Sequence, residues 1–265
     1  MTGDARARRH DRVVGEEPLE LRLKLGRGAQ TLAVTMRTPG NDFDLAAGFL
    51  YGEGIVTSRG EIAELTYCLD SAIDADQRYN IVTIELRASL DAARLARFER
   101  HFTMNSSCGV CGRAQLESLR DLGATPVDDD VQVSVATLYA LPDRMREAQR
   151  VFETTGGLHA AALFDEHGQA IAIREDVGRH NALDKVVGWA LLNGRLPLRR
   201  CIVMVSGRAS YEILQKAVMA RVAVVASVSA PSSLAVDLAR EFNVTLAGFV
   251  RGERANLYSA PERIL

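Results

Sequence analysis

No stretch of this 265-residue chain is apolar over the roughly 18 residues that a membrane-spanning helix needs, so no spanning segment is expected. No apolar core follows the basic start, so a secretory signal is not expected either. An excess of one charge is also missing: 32 Lys+Arg stand against 34 Asp+Glu, for a formal net charge of -2. Such a balance provides no global field to draw the protein onto nucleic acid or anionic lipid. Internal repeats and low-complexity stretches are lacking, which argues against solenoids and fibres. Cysteine is scarce, with four in all and one close pair. A chain of this length can bury a sizeable core and needs no disulfide framework. Together these absences predict a cytoplasmic protein of one large domain or two modest ones.

What is present begins with a local exception to the charge balance. Arg6, Arg8, Arg9, His10 and Arg12 crowd the start, so residues 1–14 read as a solvated, disordered basic tail. Leu19, Leu21, Leu23 and Leu25 then alternate as one strand face, Gly26-Arg27-Gly28 reverses the chain, and Thr31 to Met36 returns. Asn41 or Asp42 can cap a helix through Leu45, Phe49 and Leu50. Strands are expected at 61–68 and 79–86, and helices at 91–102 and 113–122. Residues 15–125 are thus expected to form an α+β domain, with a small, polar, glycine-bearing loop at 104–112.

Residues 131–265 show a clearer order. A helix over 135–152 precedes a hairpin of 158–164 and 170–173. A helix over 181–192 follows, with Asn181 as its cap and Asp184 at the reciprocal position. Apolar strands at 202–205, 222–227 and 244–250 then alternate with helices at 210–221 and 232–242. Apolar runs joined by helices predict an α/β three-layer αβα sandwich whose sheet is covered on both faces. Crossovers should be right-handed, so the helices change face only where strand order reverses.

The segment Asn105-Ser106-Ser107-Cys108-Gly109-Val110-Cys111-Gly112 is the most suggestive chemically. Gly109 and Gly112 loosen it, and Arg113 at a helix start favours a nearby thiolate. A second thiol two residues on can resolve or shield a persulfide on the first. Cys-x-x-Cys is also half of a zinc site, with His101 a possible third ligand and no obvious fourth. Sulfur or redox chemistry, zinc, and no specific role all stay open on spacing alone. Cys68 and Cys201 lie among apolar residues and read as small buried hydrophobes.

Three helix approaches in the second half are polar and rich in glycine or serine. They are Arg174 to Asn181 with Lys185 a turn in, Ser206 to Ser210 with Glu212 and Lys216 beyond, and Ser229 to Ser233. Helix N-termini favour phosphate, and Arg179, Lys185, Arg208 and Lys216 would add charge-assisted donors. Phe249-Val250-Arg251-Gly252-Glu253-Arg254 adds an aromatic and two arginines beside a glycine. Any one of these reads first as helix capping plus a surface ion pair; together they point to an anionic, nucleotide-like ligand. His159 after Gly156-Gly157 is a weaker candidate, since a lone histidine before an alanine run is usually structural.

At these residues the chain resembles the formate dehydrogenase accessory sulfurtransferases, the FdhD family. The match is carried by Thr-Gly-Gly-Leu-His-Ala-Ala at 155–161, Asp-Val-Gly-Arg-His-Asn-Ala-Leu-Asp-Lys at 176–185 and Ser-Gly-Arg-Ala-Ser-Tyr-Glu at 206–212. Ser-Ala-Pro-Ser-Ser-Leu-Ala at 229–235, Phe-x-Arg-Gly at 249–252 and the placement of Cys-x-x-Cys agree, as do Glu-Glu-Pro-Leu at 16–19, Thr-Pro-Gly at 38–40 and Gly-Phe-Leu at 48–50.

The resemblance implies a sulfurtransferase. A cysteine desulfurase would load a persulfide onto Cys108. The protein would pass that sulfur to a bound bis(molybdopterin guanine dinucleotide) cofactor of molybdenum or tungsten, for which a guanine nucleotide is a mimic. The formate dehydrogenase apoenzyme would receive the product. The resemblance also implies a homodimer, a second half similar to the cytidine deaminase fold, and a cofactor segment at Phe249 to Arg254. Cofactor-binding roles are expected as well for His159, Arg179, His180, Asn181, Lys185, Ser206, Arg208, Lys216, Ser229 and Ser232.

Three rivals make different demands. A zinc deaminase needs His-x-Glu and Pro-Cys-x-x-Cys at successive helix starts, where this chain has His180-Asn181-Ala182 and Ser206 to Ser210. A dithiol oxidoreductase would need Cys108 and Cys111 equally. A plain cofactor-binding module would need neither.

Overall fold

The structure is a computed structural model and describes residues 10–25, 28–68, 73–87 and 112–265. The helix expected at 91–102 and the loop bearing Cys108 and Cys111 lie outside these residues. So do most of the basic residues of the tail.

The first sheet has strand order β2-β1-β4-β3. The hairpin β1 (Glu17–Leu25) and β2 (Gly28–Arg37) is antiparallel, β4 (Ile81–Leu86) runs parallel to β1, and β3 (Ile62–Tyr67) pairs antiparallel with β4. Alternation buries Leu19, Leu21 and Leu23 on one face, as the leucine spacing predicts. Helix α1 (Asp42–Gly52) follows the hairpin, but neither expected side chain caps it. Asn41 takes a left-handed backbone with φ 56° and makes no cap bond, while Asp42 is buried and accepts from Arg37 Nε at 3.1 Å and Nη2 at 3.0 Å. The buried Arg37 guanidinium has the stronger claim on that carboxylate. A single helical turn, α2 (Ala75–Arg78), precedes β4, and α3 (Gly112–Asp121) covers the helix expected at 113–122.

The second sheet has order β10-β9-β8-β7-β5-β6. Its strands are β5 (His159–Asp165), β6 (Ala170–Asp176), β7 (Cys201–Val205), β8 (Val224–Ser227), β9 (Thr245–Arg251) and β10 (Arg254–Ser259). β5 is antiparallel to both β6 and β7, and β7, β8 and β9 are mutually parallel. The connecting helices are α6 (Arg179–Leu192), α7 (Tyr211–Met219) and α8 (Ser233–Glu241). From β6 to β9 the chain steps always in one direction, so right-handed crossovers place all three helices on one face. Helix α4 (Val135–Glu147) packs against β5, β6, β7 and β9 from the other face, giving an αβα arrangement.

Three expectations are corrected here. The helix foreseen over 135–152 ends at Glu147 and restarts as α5 (Arg150–Thr155). The Glu175 carboxylate accepts from the backbone N–H groups of Val151 and Phe152 at 3.1 and 2.8 Å, which supplies the second helix with its own N-terminal partners. Strand β6 runs through Arg174-Glu175-Asp176, where apolar patterning had stopped at Ile173. Strand β10 carries too few apolar residues to announce itself.

One contiguous apolar core spans both sheets. Its crossing point is α1 on α6. A Cβ on Gly48 would lie 1.9 Å from the Asp184 carbonyl oxygen, and one on Gly188 would lie 1.8 Å from that of Asp44. The two helix backbones touch, which only glycine allows.

Candidate functional site

The strand directions gather the polar loops at one edge. The carboxyl ends of β6, β7, β8 and β9 and the start of β5 all emerge there, since His159 pairs with Asp176 and β5 opposes β7. Crevices at the carboxyl ends of parallel strands are where such sheets bind ligands. The loops are joined laterally. Ser206 Oγ accepts from Ala160 N at 2.9 Å, Ser227 Oγ donates to Gly207 O at 2.7 Å, and Phe249 N donates to Ser229 O at 3.1 Å. Ser232 N donates to Ala209 O at 3.0 Å, and its Oγ caps α8 by accepting from Ala235 N at 3.2 Å. The edge therefore unites His159, Arg179, His180, Ser206, Arg208, Ser229, Ser232 and the Phe249 to Arg254 hairpin.

Gly207 sits where side chains converge: a Cβ there would be 3.3 Å from His159 Nδ1 and 3.6 Å from Arg179 Cδ. Burial first, then the charges of Arg179 and His180, lower the pKa of His159, so its ring stays neutral near pH 7. Arg179 Nε is buried without a hydrogen-bond partner. A buried guanidinium donor with no acceptor is costly, and an anion at this spot would relieve it. Arg208 is exposed in the β7–α7 loop. His180 is held on both sides, by Ser210 Oγ at 3.1 Å from Nε2 and by Glu212 Oε2 at 2.8 Å from Nδ1. The bond to His180 is the main reason that the Glu212 pKa is lowered.

Phe249 has φ 53°, an unusual backbone for an aromatic residue. It lies where the β9–β10 register shifts, between the pairs Arg251–Arg254 and Gly248–Asn256. The bulge turns the Phe249 ring outward, 40% exposed, while Val250 is buried. Gly252 and Glu253 form the hairpin turn, Arg251 Nε donates to Val228 O at 3.1 Å, and Arg254 is exposed.

Three expected ligand residues are placed elsewhere. Lys185 is buried and gives its ammonium to Asp176 Oδ2 at 2.7 Å, Thr38 O at 2.9 Å and Glu175 O at 3.4 Å. Asn181 is not a helix cap: α6 begins at Arg179, and Asn181 Nδ2 donates to Met36 O at 2.8 Å and Asp176 Oδ1 at 3.1 Å. Lys216 is buried against Asp184 at 2.7 Å, beside Gly52 of α1. Burial, only partly offset by Lys216, pushes Asp184 up to about 6. Burial also opposes the charge on Lys216, but Asp184 and Glu53 together raise its pKa. These groups fasten α6 and α7 to the first sheet and α1. Conversely, Ser210 and Glu212 stand in the sequence only as part of a polar helix approach, because only the fold sets His180 opposite them.

Cys108 and Cys111 lie outside the described residues, immediately before α3. Cys68 and Cys201 are buried, as their apolar flanks predict. Burial pushes the Cys201 thiol up to about 11, and its Sγ donates to Arg199 O at 3.2 Å. A thiol so disposed is not a ready nucleophile at neutral pH. Among the described residues no group of three His, Cys, Asp or Glu could hold a metal ion, and no helix is long and apolar enough to cross a membrane.

The family model described as FdhD/NarQ family matches residues 14–265. This chain belongs to the FdhD/NarQ family. FdhD-named relatives cover nearly all of it. A sulfur carrier protein FdhD of Streptomyces avermitilis is 51% identical over 97% of this chain and 90% of its own length. One of Mycolicibacterium paratuberculosis is 49% identical over 100% of this chain and 96% of its own. A crystal structure of a proposed formate dehydrogenase accessory protein from Desulfotalea psychrophila superposes with a TM-score of 0.73 at 25% identity, covering 96% of this chain and 91% of that one.

Proposed function

We propose that this protein is a sulfur carrier serving formate dehydrogenase. The observation that carries the reading is the unpartnered, buried Arg179 Nε at the carboxyl edge of the second sheet, beside His159 and Gly207. It fits an anionic, phosphate-bearing cargo, and relatives named as sulfur carriers and accessory proteins supply the chemical context.

In this reading Cys108 bears the sulfur. Its thiolate attacks the outer sulfur of a persulfide on a cysteine desulfurase; the donor's S–S bond breaks, the donor leaves as thiolate, and a persulfide forms on Cys108. Cys111 resolves or shields it. The cargo is bis(molybdopterin guanine dinucleotide) carrying molybdenum or tungsten, which takes up the sulfur before it enters the formate dehydrogenase apoenzyme. Arg179, Arg208 and the helix N-termini receive the cargo's phosphates, and the outward Phe249 ring with Arg251 and Arg254 receives a guanine nucleotide end. The neutral His159 donates or accepts one hydrogen bond without adding charge. Ser206, Ser229 and Ser232 hold the loops around this site, while Asn181, Lys185 and Lys216 support it from the interior. A homodimer, a cytoplasmic setting and a second half similar to cytidine deaminases complete the reading.

The test is intact-mass spectrometry after incubation with desulfurase and cysteine. The expected result is a gain of one sulfur atom, lost in Cys108→Ala, which also abolishes formate dehydrogenase maturation. A variant that matures the enzyme normally would overturn the assignment and leave a plain binding module.

A further inference from the structure

Among the described residues three α-helices open on a serine, and one of them breaks the pattern. Ser134 Oγ accepts from Thr137 N at 3.0 Å and Ser232 Oγ accepts from Ala235 N at 3.2 Å, each capping its helix. Ser210 has the extended backbone of a cap, with φ -88° and ψ 172°, yet makes no side-chain cap bond. Its hydroxyl faces His180 Nε2 at 3.1 Å instead. Giving up a serine cap forgoes about 1 kcal/mol. Departures from a local rule of this kind concentrate at functional positions.

The histidine is itself oriented. Its other ring nitrogen, Nδ1, meets Glu212 Oε2 at 2.8 Å. Hydroxyl, imidazole and carboxylate thus stand in series, the relation that activates a serine nucleophile and that is recognised by geometry rather than by sequence order. The placement also fits. Ser210 ends the loop between parallel strand β7 and helix α7, at the carboxyl edge, where strand-to-helix turns present nucleophiles. The first-turn amides of α7 lie beside it and can stabilise a developing oxyanion. His180 and Glu212 are both open to solvent in part, with side-chain exposures of 29% and 54%. Arg179 adjoins His180 in sequence, and Arg208 lies two residues before Ser210.

We infer that Ser210, His180 and Glu212 give this same edge a further activity, a serine nucleophile that hydrolyses small activated esters carrying an anionic group. Ser210 Oγ attacks the ester carbonyl while its proton passes to His180 Nε2. The bond from the carbonyl carbon to the leaving oxygen breaks, and the leaving alkoxide takes that proton. Water then attacks the acyl-serine through the same relay, releasing the carboxylic acid and restoring Ser210. Glu212 holds the ring and balances the imidazolium. Arg179 and Arg208 favour the anionic group.

The experiment uses the full chain. It is treated with an alkyl fluorophosphonate, and the labelled peptide is identified by mass. In parallel, hydrolysis of the mono-4-nitrophenyl ester of succinic acid is followed against pH. Label on Ser210 is expected, with hydrolysis falling by about 100-fold or more in Ser210→Ala. Glu212→Gln is expected to lose at least about tenfold and to shift the pH–rate profile, which a merely structural carboxylate would not do. Absence of label at Ser210, unchanged turnover in a folded Ser210→Ala, or an unmoved profile in Glu212→Gln would each overturn the inference. Thermal melting of the variants confirms folding, and the labelling of the unaltered chain does not depend on it.

Discussion

The stretch from Asp176 to Lys185 serves two regions with opposite habits. Asp176, Asn181 and Lys185 turn inward and leave nothing unpaired: ammonium, amide and carboxylate bind one another and the backbone of Met36, Thr38 and Glu175. Arg179 and His180, on the outer side of the same helix start, face the sheet edge, and there Arg179 Nε has no acceptor. Helical spacing alone separates a joint from a site. Polar character in a motif therefore does not by itself mark contact with a ligand; the face does.

Substitutions on the two faces should behave accordingly. The largest effect is expected for Lys185→Met, which leaves the buried Asp176 carboxylate without its ammonium partner and should cost about 3–5 kcal/mol in denaturant unfolding. Gly188→Ala comes next. A methyl placed 1.8 Å from the Asp44 carbonyl oxygen must force α1 and α6 apart, at a cost on the order of 3 kcal/mol by the same measurement. An edge substitution should reverse the pattern. Arg179→Gln removes the unpaired donor and should leave stability unchanged or slightly raised, yet weaken guanosine diphosphate in calorimetric titration about tenfold. Equal losses of stability on the two faces would erase the distinction.

A pH slope tests the interior face separately. Asp184 titrates near 3.8 when unfolded and at about 6 in the folded chain, because of burial. Between those values the native state keeps a proton that the unfolded state has shed. The contribution of this group to stability is thus fully present below about pH 4 and declines as pH rises towards 6. The stability of the wild type relative to Asp184→Asn should fall across that window in parallel unfolding curves. A difference that stays flat would mean that Asp184 is not the buried, strained partner of Lys216 described above.

Much of the fold was legible because its strands are apolar and periodic. Leu19, Leu21 and Leu23 announced β1, and the runs at Ile202, Val224 and Leu246 announced the parallel strands. Legibility failed where charge is neutralised by a distant partner. Arg174 stays in β6 by pairing with Asp44 at 2.9 Å, and Asn181 was misread as a cap because β2 lies 145 residues away in sequence. The gathering of His159, Arg179 and the Ser206 and Ser229 loops at one edge followed from strand order, which sequence suggests only coarsely. The pairing of His180 with Ser210 and Glu212 was not legible, since no local pattern sets one helix start against another. The Cys108 loop, foreseen as the chemical heart, lies outside the described residues.

The glycine contact between α1 and α6 carries a further consequence. Beside the two touching helix backbones, Arg174 pairs with Asp44 and the buried Lys185 ammonium donates to Thr38 O, so the two sheets are tied at several points. Rocking one half against the other, a common way for enzymes to bring distant groups together, would have to break these contacts. Under the proposed function, the gap between donor thiol and cargo is crossed by a route other than a change in the angle of the two sheets.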